Sequence, residues 1–93
     1  MKVVNIHNEK CTHYIGRPTR WGNPFVIGKD GTREEVIRKY ESMLRENIYL
    51  MSAMNETFQD DSILGCYCAP LACHGDVIIK VLEEIRSNDV VMK

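Results

Sequence analysis

Short apolar runs near the N-terminus and after residue 61 predict extended segments. Residues 2–7 cluster β-branched side chains and predict a first strand, and residues 13–15 predict a second, shorter one. Residues 25–27 predict a further short extended segment. Residues 62–68 predict a buried strand, which ends before Pro70 because proline cannot donate to a sheet ladder.

Two longer segments carry apolar residues at spacings of three and four, which is typical of helices. Thr32 and Glu35 have the spacing of a capping box and predict a helix start. The stripe that follows predicts one helix of about five turns, with a buried face made of Val36, Ile37, Tyr40, Met43, Leu44, Ile48 and Met51. Polar residues 55–61 predict a loop. A second helix is predicted from about His74 to Ser87, with Val77, Ile78, Val81, Leu82 and Ile85 buried.

These elements predict an α/β fold: a small single-layer sheet of short strands with two main helices packed on it. A chain of 93 residues buries one core and not two, so residues 1–93 are expected to form a single domain. From about residue 88 the chain is predicted to form a loose tail. The order of the strands does not follow from the sequence.

Composition narrows the class of protein. A hydrophobic fraction of 44% and a charged fraction of 27% are those of a folded globular chain. No apolar run approaches the roughly 18 to 20 residues of a membrane helix, and no signal segment is recognisable, so we expect a cytoplasmic protein without a membrane partner. In that compartment Cys11, Cys66, Cys68 and Cys73 are expected to be reduced thiols.

The charges are unevenly distributed along the chain. Residues 1–33 carry six basic and two acidic side chains, whereas residues 34–93 carry six basic and eleven acidic ones. This asymmetry favours an anionic ligand near the first third of the chain, although scattered surface charges would give the same count. Because the basic residues form no long stripe and no groove-reading module is recognisable, the sequence does not favour nucleic acid as a partner.

The first segment rich in candidate chemistry is Gly16 to Phe25, which contains Arg17, Arg20, Trp21 and Asn23. Arginine binds phosphate or carboxylate through its planar fork, and tryptophan can stack on a base. Asparagine offers both a donor and an acceptor. The alternative interpretation is an irregular turn in which Trp21 and Phe25 fill the core and the arginines are solvated.

The second such segment is Cys66 to Asp76, a strand end, a proline-containing turn and a helix start. Ligands of α/β proteins commonly bind beyond the carboxyl ends of strands, and helix N-termini present free amides. Asp76 weighs against a phosphate at this helix start, because its carboxylate could itself cap the helix. We expect the two segments to share one pocket.

The two segments together resemble a known family. Residues 14–25 and 65–76, with residues 31–37 and Tyr40 between them, are similar to the family catalogued as domain of unknown function 4326, found in bacteria and their phages. The resemblance spans about residues 13–82. Related sequences often carry tryptophan where this chain has Tyr67. The family label implies a shared site and supplies no activity.

Zinc competes for the second segment, because Cys66, Cys68, Cys73 and His74 lie within nine residues. Alternate strand positions hold Cys66 and Cys68 with β-carbons about 7 Å apart, and adjacent residues such as Cys73 and His74 seldom reach one metal. His7, Cys11 and His13 could supply replacements. We therefore predict no metal and no cofactor, and keep a structural zinc-binding interaction module as an alternative.

Catalysis is left open by the sequence. A helix N-terminus could lower the pKa of the Cys73 thiol, but His74 directly beside it seldom has the orientation that a general base requires. Glu34, Glu35 and Asp76 could do acid or base work on a nucleotide-like substrate. Helix capping explains Glu35 and Asp76 without any chemistry.

The preferred hypothesis is a small-molecule binding domain for a phosphorylated nucleotide or an ADP-ribose-like compound. Arg17 and Arg20 would contact phosphates, Trp21 would stack, Asn23 would bind a polar edge and Arg33 would close the anion site. The remaining predicted ligand contacts are Cys68, Cys73, His74 and Asp76. A phage-encoded member could sequester or degrade a host nucleotide signal. The alternative is a protein that inhibits a host protein by direct binding, and the oligomeric state stays open.

Overall fold

The computed structural model describes residues 1–91, with side chains described to residue 87. This part of the chain forms three strands, β1 (Lys2–Asn5), β2 (His13–Tyr14) and β3 (Ile63–Cys66). It also forms three helices, α1 (Arg33–Glu46), α2 (Ile48–Thr57) and α3 (His74–Val91). The fold is a small α/β fold, as the sequence predicts. Among residues 1–91, none of the helices has the length and hydropathy needed to cross a membrane.

The three strands form one parallel sheet in the order β1-β3-β2. Gly65 of the central strand pairs with Val4 on one side and with Tyr14 on the other. A β-carbon at Gly65 would lie 2.5 Å from the Cys11 sulfur, so only glycine permits this close approach. Since all strands run in the same direction, their carboxyl ends meet at one edge of the sheet.

The capping box predicted at the start of α1 is present. The Glu35 backbone N–H donates to the Thr32 hydroxyl at 3.2 Å, and the Thr32 N–H donates to the Glu35 carboxylate at 3.0 Å. Hydrogen bonds from Thr32 lower the pKa of the Glu35 carboxyl. Gly31 precedes this cap with φ at 139°, a backbone conformation that favours glycine.

The prediction of one five-turn helix over the first apolar stripe is wrong, because the chain divides at Asn47. The Asn47 N–H donates to the Leu44 carbonyl at 3.0 Å and ends α1, while the Asn47 side chain accepts from the Leu50 N–H at 3.0 Å and starts α2. The change of direction leaves Ile48 65% exposed, although it belongs to the predicted buried stripe. The predicted loop is also too long at its start, because α2 continues to Thr57.

Other boundaries differ from the sequence predictions. Residues 25–27 form no strand, and Ile27 makes only an isolated bridge with Gly31. β1 and β3 end at Asn5 and Cys66, earlier than predicted. α3 continues to Val91, and the predicted loose tail falls partly on residues 92–93, which lie outside the described residues.

The core lies between the sheet and the helices. Its largest fully buried side chains come from every layer: Tyr40, Phe58, Ile15, Leu44, Met54, Leu64, Ile78 and Leu82. The Tyr40 hydroxyl donates to the Trp21 carbonyl at 2.7 Å, so the one polar atom that this side chain buries has a partner. That hydrogen bond also fixes the loop between β2 and α1 against α1.

The break at Asn47 gives a direct stability test. Leu44→Ala should lower the free energy of unfolding by about 2 to 5 kcal/mol, because it empties space in the core. Ile48→Ala, the matched control from the same predicted stripe, should change it by less than about 0.5 kcal/mol because Ile48 is exposed. Urea unfolding followed by circular dichroism measures both values. A large loss for Ile48→Ala would contradict the division into two helices.

Candidate functional site

A pocket of about 400 Å³ opens beyond the carboxyl ends of β2 and β3. This volume lies within the range of roughly 300 to 1,000 Å³ that is usual for small-molecule sites. Its wall consists of the loop after β2, the first turns of α1, the turn after β3 and the start of α3: Tyr14, Gly16, Arg17, Asn23, Phe25, Val26, Ile27, Arg33, Val36, Ile37, Cys66, Tyr67, Cys68, Ala72, Cys73 and His74.

The structure brings the two predicted segments together in this pocket. Six of the nine predicted ligand contacts line it: Arg17, Asn23, Arg33, Cys68, Cys73 and His74. Arg20, Trp21 and Asp76 do not line it. That the six residues bind a ligand stays a prediction, whereas their position around one cavity is a property of the fold.

Trp21 lies in the core and not in the pocket wall. Its side chain is 9% exposed and packs on Phe58 with ring centroids 5.0 Å apart. The Arg20 guanidinium lies 4.9 Å from the Trp21 ring centroid and borders a different surface depression. The placement corrects the expectation that Trp21 stacks on the ligand and that Arg20 contacts its phosphates. The alternative interpretation, Trp21 as core, is the one the structure supports.

Asn23 shapes the pocket wall with both ends of its amide. The side-chain NH₂ donates to the Val36 carbonyl at 3.1 Å, and the side-chain oxygen accepts from the Phe25 N–H at 2.9 Å. Both bonds tie the loop after β2 to α1. The amide thus has a structural role in the wall and keeps one N–H and one oxygen lone pair, so its expected role in binding a polar edge of the ligand stays a prediction.

The loop that carries Arg17 is held by local hydrogen bonds. The Thr19 hydroxyl donates to the Gly16 carbonyl at 2.6 Å, and the Tyr14 hydroxyl donates to the Arg17 carbonyl at 3.1 Å. A β-carbon at Gly16 would overlap the Tyr14 ring, which explains the glycine at this position. The backbone of Arg17 is thereby fixed at the pocket while its guanidinium makes none of these bonds.

Two arginines supply the charge of the pocket. Among the described residues, neither Arg17 nor Arg33 forms an ion pair. Arg33 donates from Nη1 to the Ala72 carbonyl at 3.0 Å, which links α1 to the turn before α3 and leaves its other N–H groups for further contacts. Two guanidinium groups without carboxylate partners make this wall suitable for an anion.

Asp76 caps α3 from within its first turn. Its carboxylate accepts from the Cys73 N–H at 3.1 Å, and the Gly75 N–H donates to the Cys73 sulfur at 3.3 Å. The Asp76 carboxylate thus satisfies the Cys73 N–H, and the Cys73 sulfur satisfies one of the free N–H groups in the first turn of α3. Asp76 is exposed and does not line the pocket, so the structure gives it the role of a helix cap in place of the ligand contact predicted from the sequence.

The thiols at the base of the pocket are poorly suited to nucleophilic catalysis. Cys66 and Cys73 are 2% and 3% exposed. Burial raises the pKa of the Cys73 thiol to about 12, so the thiolate that would attack a substrate is scarce at neutral pH. Within residues 1–91, no group of three or more histidine, cysteine or acidic side chains is arranged to hold a metal ion.

His74 is buried at the start of α3, with 8% of its surface exposed. Its Nε2 lies 2.8 Å from the Ile15 carbonyl oxygen, and because a carbonyl only accepts, Nε2 must carry the proton. Burial lowers the pKa of the imidazole and favours its neutral form, while the Ile15 carbonyl selects the tautomer protonated on Nε2. The remaining nitrogen, Nδ1, then has a free lone pair and acts as an acceptor.

The sequence analysis missed an aromatic pair in the pocket wall, the exposed Tyr67 and the half-buried Tyr14. Tyr67 is 57% exposed and meets the Tyr14 ring edge-on, with ring centroids 5.9 Å apart. The His7 ring lies 5.2 Å from the Tyr67 ring on the other side. The sequence did contain a signal for the exposure of Tyr67. Side chains alternate between the two faces of a strand, and Tyr67 directly follows the buried Cys66 at the end of β3. Val36 and Ile37 were missed because they were counted as core residues.

Comparison with known proteins identifies the family. The family described as Domain of unknown function (DUF4326) matches residues 2–84, and the chain belongs to it. An uncharacterized 12.4 kDa protein from the nrdA-td intergenic region of Enterobacteria phage T4 is 33% identical over 92 residues, which cover 95% of this chain and 82% of the phage protein. An uncharacterized protein of Acanthamoeba polyphaga mimivirus is 28% identical, over 87% of this chain and 74% of its own. No solved structure matches the chain.

The buried His74 predicts a pH dependence of stability. The unfolded chain takes up a proton at a histidine pKa of about 6.5, whereas the folded protein holds His74 neutral at that pH. The free energy of unfolding should therefore be highest above pH 6.5 and fall below it, by at most about 1.4 kcal/mol per pH unit for this proton. Urea unfolding between pH 7.5 and 5 measures the slope.

His74→Gln should flatten this slope, because glutamine can still donate to the Ile15 carbonyl but does not titrate. His7→Gln removes an imidazole outside the core and is the matched control. Hydrogen bonds lower the pKa of the Glu35 and Glu41 carboxyls below 4.5. Protonation of these groups therefore changes the free energy of unfolding only below about pH 4.5, outside the measured range. An unchanged slope in His74→Gln would show that another group causes the dependence.

Proposed function

We propose that this member of the DUF4326 family is a small-molecule binding domain for a phosphorylated nucleotide or an ADP-ribose-like compound. The observation that carries the proposal is the combination of two arginines without ion-pair partners among the described residues and an exposed tyrosine around one pocket. In this proposal the two arginines recognise phosphate and the tyrosine ring stacks on a nucleobase. A phosphorylated nucleotide contains both groups.

The phosphate part of the proposal rests on Arg17 and Arg33. Both line the pocket from opposite segments, one from the loop after β2 and one from the first turn of α1. The guanidinium fork makes paired, charge-assisted hydrogen bonds with phosphate oxygens, each worth about 1.5 to 3 kcal/mol. The bond from Arg33 to the Ala72 carbonyl holds that side chain in place before a ligand arrives.

The base part of the proposal rests on Tyr67. An exposed ring that is already supported edge-on by Tyr14 offers a flat face at small cost in side-chain entropy. Stacking of a base on an aromatic side chain is worth about 1 to 3 kcal/mol. Tyr67 therefore takes the role that the sequence analysis gave to Trp21. Apolar contacts from Val36 and Ile37 complete this side of the pocket.

The proposal assigns the sugar to the start of α3. Nδ1 of His74 is an acceptor whose tautomer is set by the Ile15 carbonyl, and a ribose hydroxyl is a suitable donor for it. Cys68 and Cys73 border the same part of the wall. Because the Cys73 thiol stays protonated at neutral pH and His74 stays neutral, this arrangement supports binding better than turnover.

Binding without turnover suggests a biological role. A phage-encoded member would use it to sequester a host nucleotide signal, and the similarity to a phage T4 protein supports this setting. The proposal assigns no residue to degradation of the signal. Since such signals are cytoplasmic compounds, the proposal includes a cytoplasmic location.

Direct binding to a host protein is the second candidate function. Ile48 and Tyr49 at the start of α2 are 65% and 84% exposed, and Leu71 beside the pocket is 59% exposed. A contiguous exposed apolar patch marks a contact surface, whereas single exposed apolar side chains are common on folded proteins. They are spread over separate parts of the molecule, which favours the pocket as the primary site.

Calorimetric titration with AMP, ADP and ADP-ribose tests the proposal, with adenosine as the ligand that lacks phosphate. Arg17→Ala should weaken binding of the phosphorylated ligands about 10-fold to 100-fold, the equivalent of about 1.5 to 3 kcal/mol. Arg20→Ala is the matched control, since Arg20 lies over Trp21 and outside the pocket wall. Equal losses for the two variants, or no binding of any phosphorylated ligand, would contradict the proposal.

Substitutions at Tyr67 test the proposed stacking of a nucleobase separately. Tyr67→Ala should weaken nucleotide binding about 5-fold to 100-fold through lost stacking, whereas Tyr67→Phe should retain most of the affinity because the ring remains. Tyr49→Ala removes another exposed tyrosine, away from the pocket, and is the control. Ribose 5-phosphate, which has no base, should bind the wild type and Tyr67→Ala equally.

A further inference from the structure

Cys66 and Cys73 form a close pair that the proposed function does not use. Their sulfur atoms are 3.4 Å apart, and both cysteines are free. Cys66 ends β3 and Cys73 immediately precedes α3, so the turn after the strand brings the two thiols together. Both side chains line the pocket although they are otherwise buried.

We propose that Cys66 and Cys73 are a redox-active dithiol, which hydrogen peroxide oxidises to a disulfide at the base of the pocket and which thiol reductants restore. The proposal concerns the thiols themselves and is independent of the ligand that the pocket binds. Two nearby thiols are required, because an isolated buried cysteine would have no partner with which to form the bond.

Formation of the disulfide requires only a small movement of the two sulfur atoms. A disulfide bond is about 2.05 Å long, so the sulfurs must approach by roughly 1.3 Å in total. Each sulfur is already oriented by one backbone donor, the Cys68 N–H for Cys66 at 3.4 Å and the Gly75 N–H for Cys73 at 3.3 Å. Residues 67–72 between the pair are exposed or half-buried, so this segment can adjust without opening the core.

The chemistry balances with peroxide as the oxidant. A thiolate at one of the two sulfurs attacks a peroxide oxygen, the O–O bond breaks, and a sulfenic acid and hydroxide form. The second thiolate attacks the sulfenic sulfur, forms the S–S bond and expels a second hydroxide. The two protons from the thiols convert both hydroxides to water. Two thiols lose two electrons in total, and one peroxide is reduced to two waters.

The burial of the two thiols determines which oxidants reach them and how the oxidation rate depends on pH. Peroxide is little larger than water and can enter a pocket of about 400 Å³, whereas bulky disulfides have no direct route to sulfurs that are 2% and 3% exposed. Burial raises the pKa of the Cys73 thiol to about 12, so the reaction should accelerate as the pH rises.

The disulfide would close a short loop in the pocket wall. That loop carries Tyr67 and Ala72, and the Ala72 carbonyl accepts the hydrogen bond from Arg33. Oxidation would therefore restrict the turn between β3 and α3. Cys68 lies inside the loop and keeps a free thiol, which gives the oxidised state a distinct chemical signature.

The test treats the full native chain with one equivalent of hydrogen peroxide, alkylates the remaining thiols and maps them by mass spectrometry. Residues 46–80 form one tryptic peptide with three cysteines and no internal lysine or arginine before its end. The expected product has lost two hydrogens in this peptide, carries the alkyl group on Cys68 and returns to three free thiols with dithiothreitol. Its formation should be at least about 10-fold faster at pH 9 than at pH 7.

Variants separate this pair from the other thiols. Cys11→Ser and Cys68→Ser should both retain the disulfide, whereas Cys66→Ser and Cys73→Ser should lose it. If the last two variants do not fold, the alkylation map of the wild type still decides the question. Alkylation of Cys66 or Cys73 instead of Cys68, a disulfide between chains, or oxidation seen only in urea would each overturn the proposal. None of these readouts depends on a nucleotide, so this proposal and the proposed function fail separately.

Discussion

The position of β3 between two parallel neighbours is the constraint on which the rest of the structure depends. Parallel pairing on both sides directs the carboxyl ends of all three strands to one edge, where the loop after β2 and the turn after β3 leave the sheet. Gly65 in β3 lets Cys11 and Ile6 pack closely against this central strand, because a β-carbon there would lie 2.5 Å from the Cys11 sulfur and 2.6 Å from an Ile6 carbon. The position of the pocket follows from the parallel strand order.

Most polar groups near the pocket are used by the fold itself. Asn23 connects the loop to α1, Asp76 caps α3, and Nε2 of His74 binds the Ile15 carbonyl. Each of these groups has a hydrogen-bond partner within the chain. The guanidinium of Arg17 and the ring of Tyr67 remain for an external partner. A wall held in this way is organised before a ligand arrives, which lowers the entropy cost of binding.

Burial sets the chemistry of the remaining groups. It raises the pKa of the Cys73 thiol and lowers the pKa of the His74 imidazole, so both stay neutral near pH 7. These neutral groups and the two arginines line the same pocket, which is the basis of the proposed binding of an anion. Cys66 and Cys73 lie together in this buried region, and their 3.4 Å separation is the basis of the proposed disulfide.

The sequence by itself determined the features that local chemistry controls. The capping box at Thr32, the apolar face of α3 and the two segments of the pocket all follow from spacings within a few turns or residues. Only the tertiary structure decided the strand order, because it depends on pairing between residues far apart in sequence. The break at Asn47 rests on local hydrogen bonds with Leu44 and Leu50, but the apolar stripe runs through it without interruption and so predicted a single helix. The tertiary structure also placed Trp21 against Phe58 in the core and left Tyr67 exposed. The sequence does not distinguish them, because which aromatic side chain is buried depends on how the loops pack on the core.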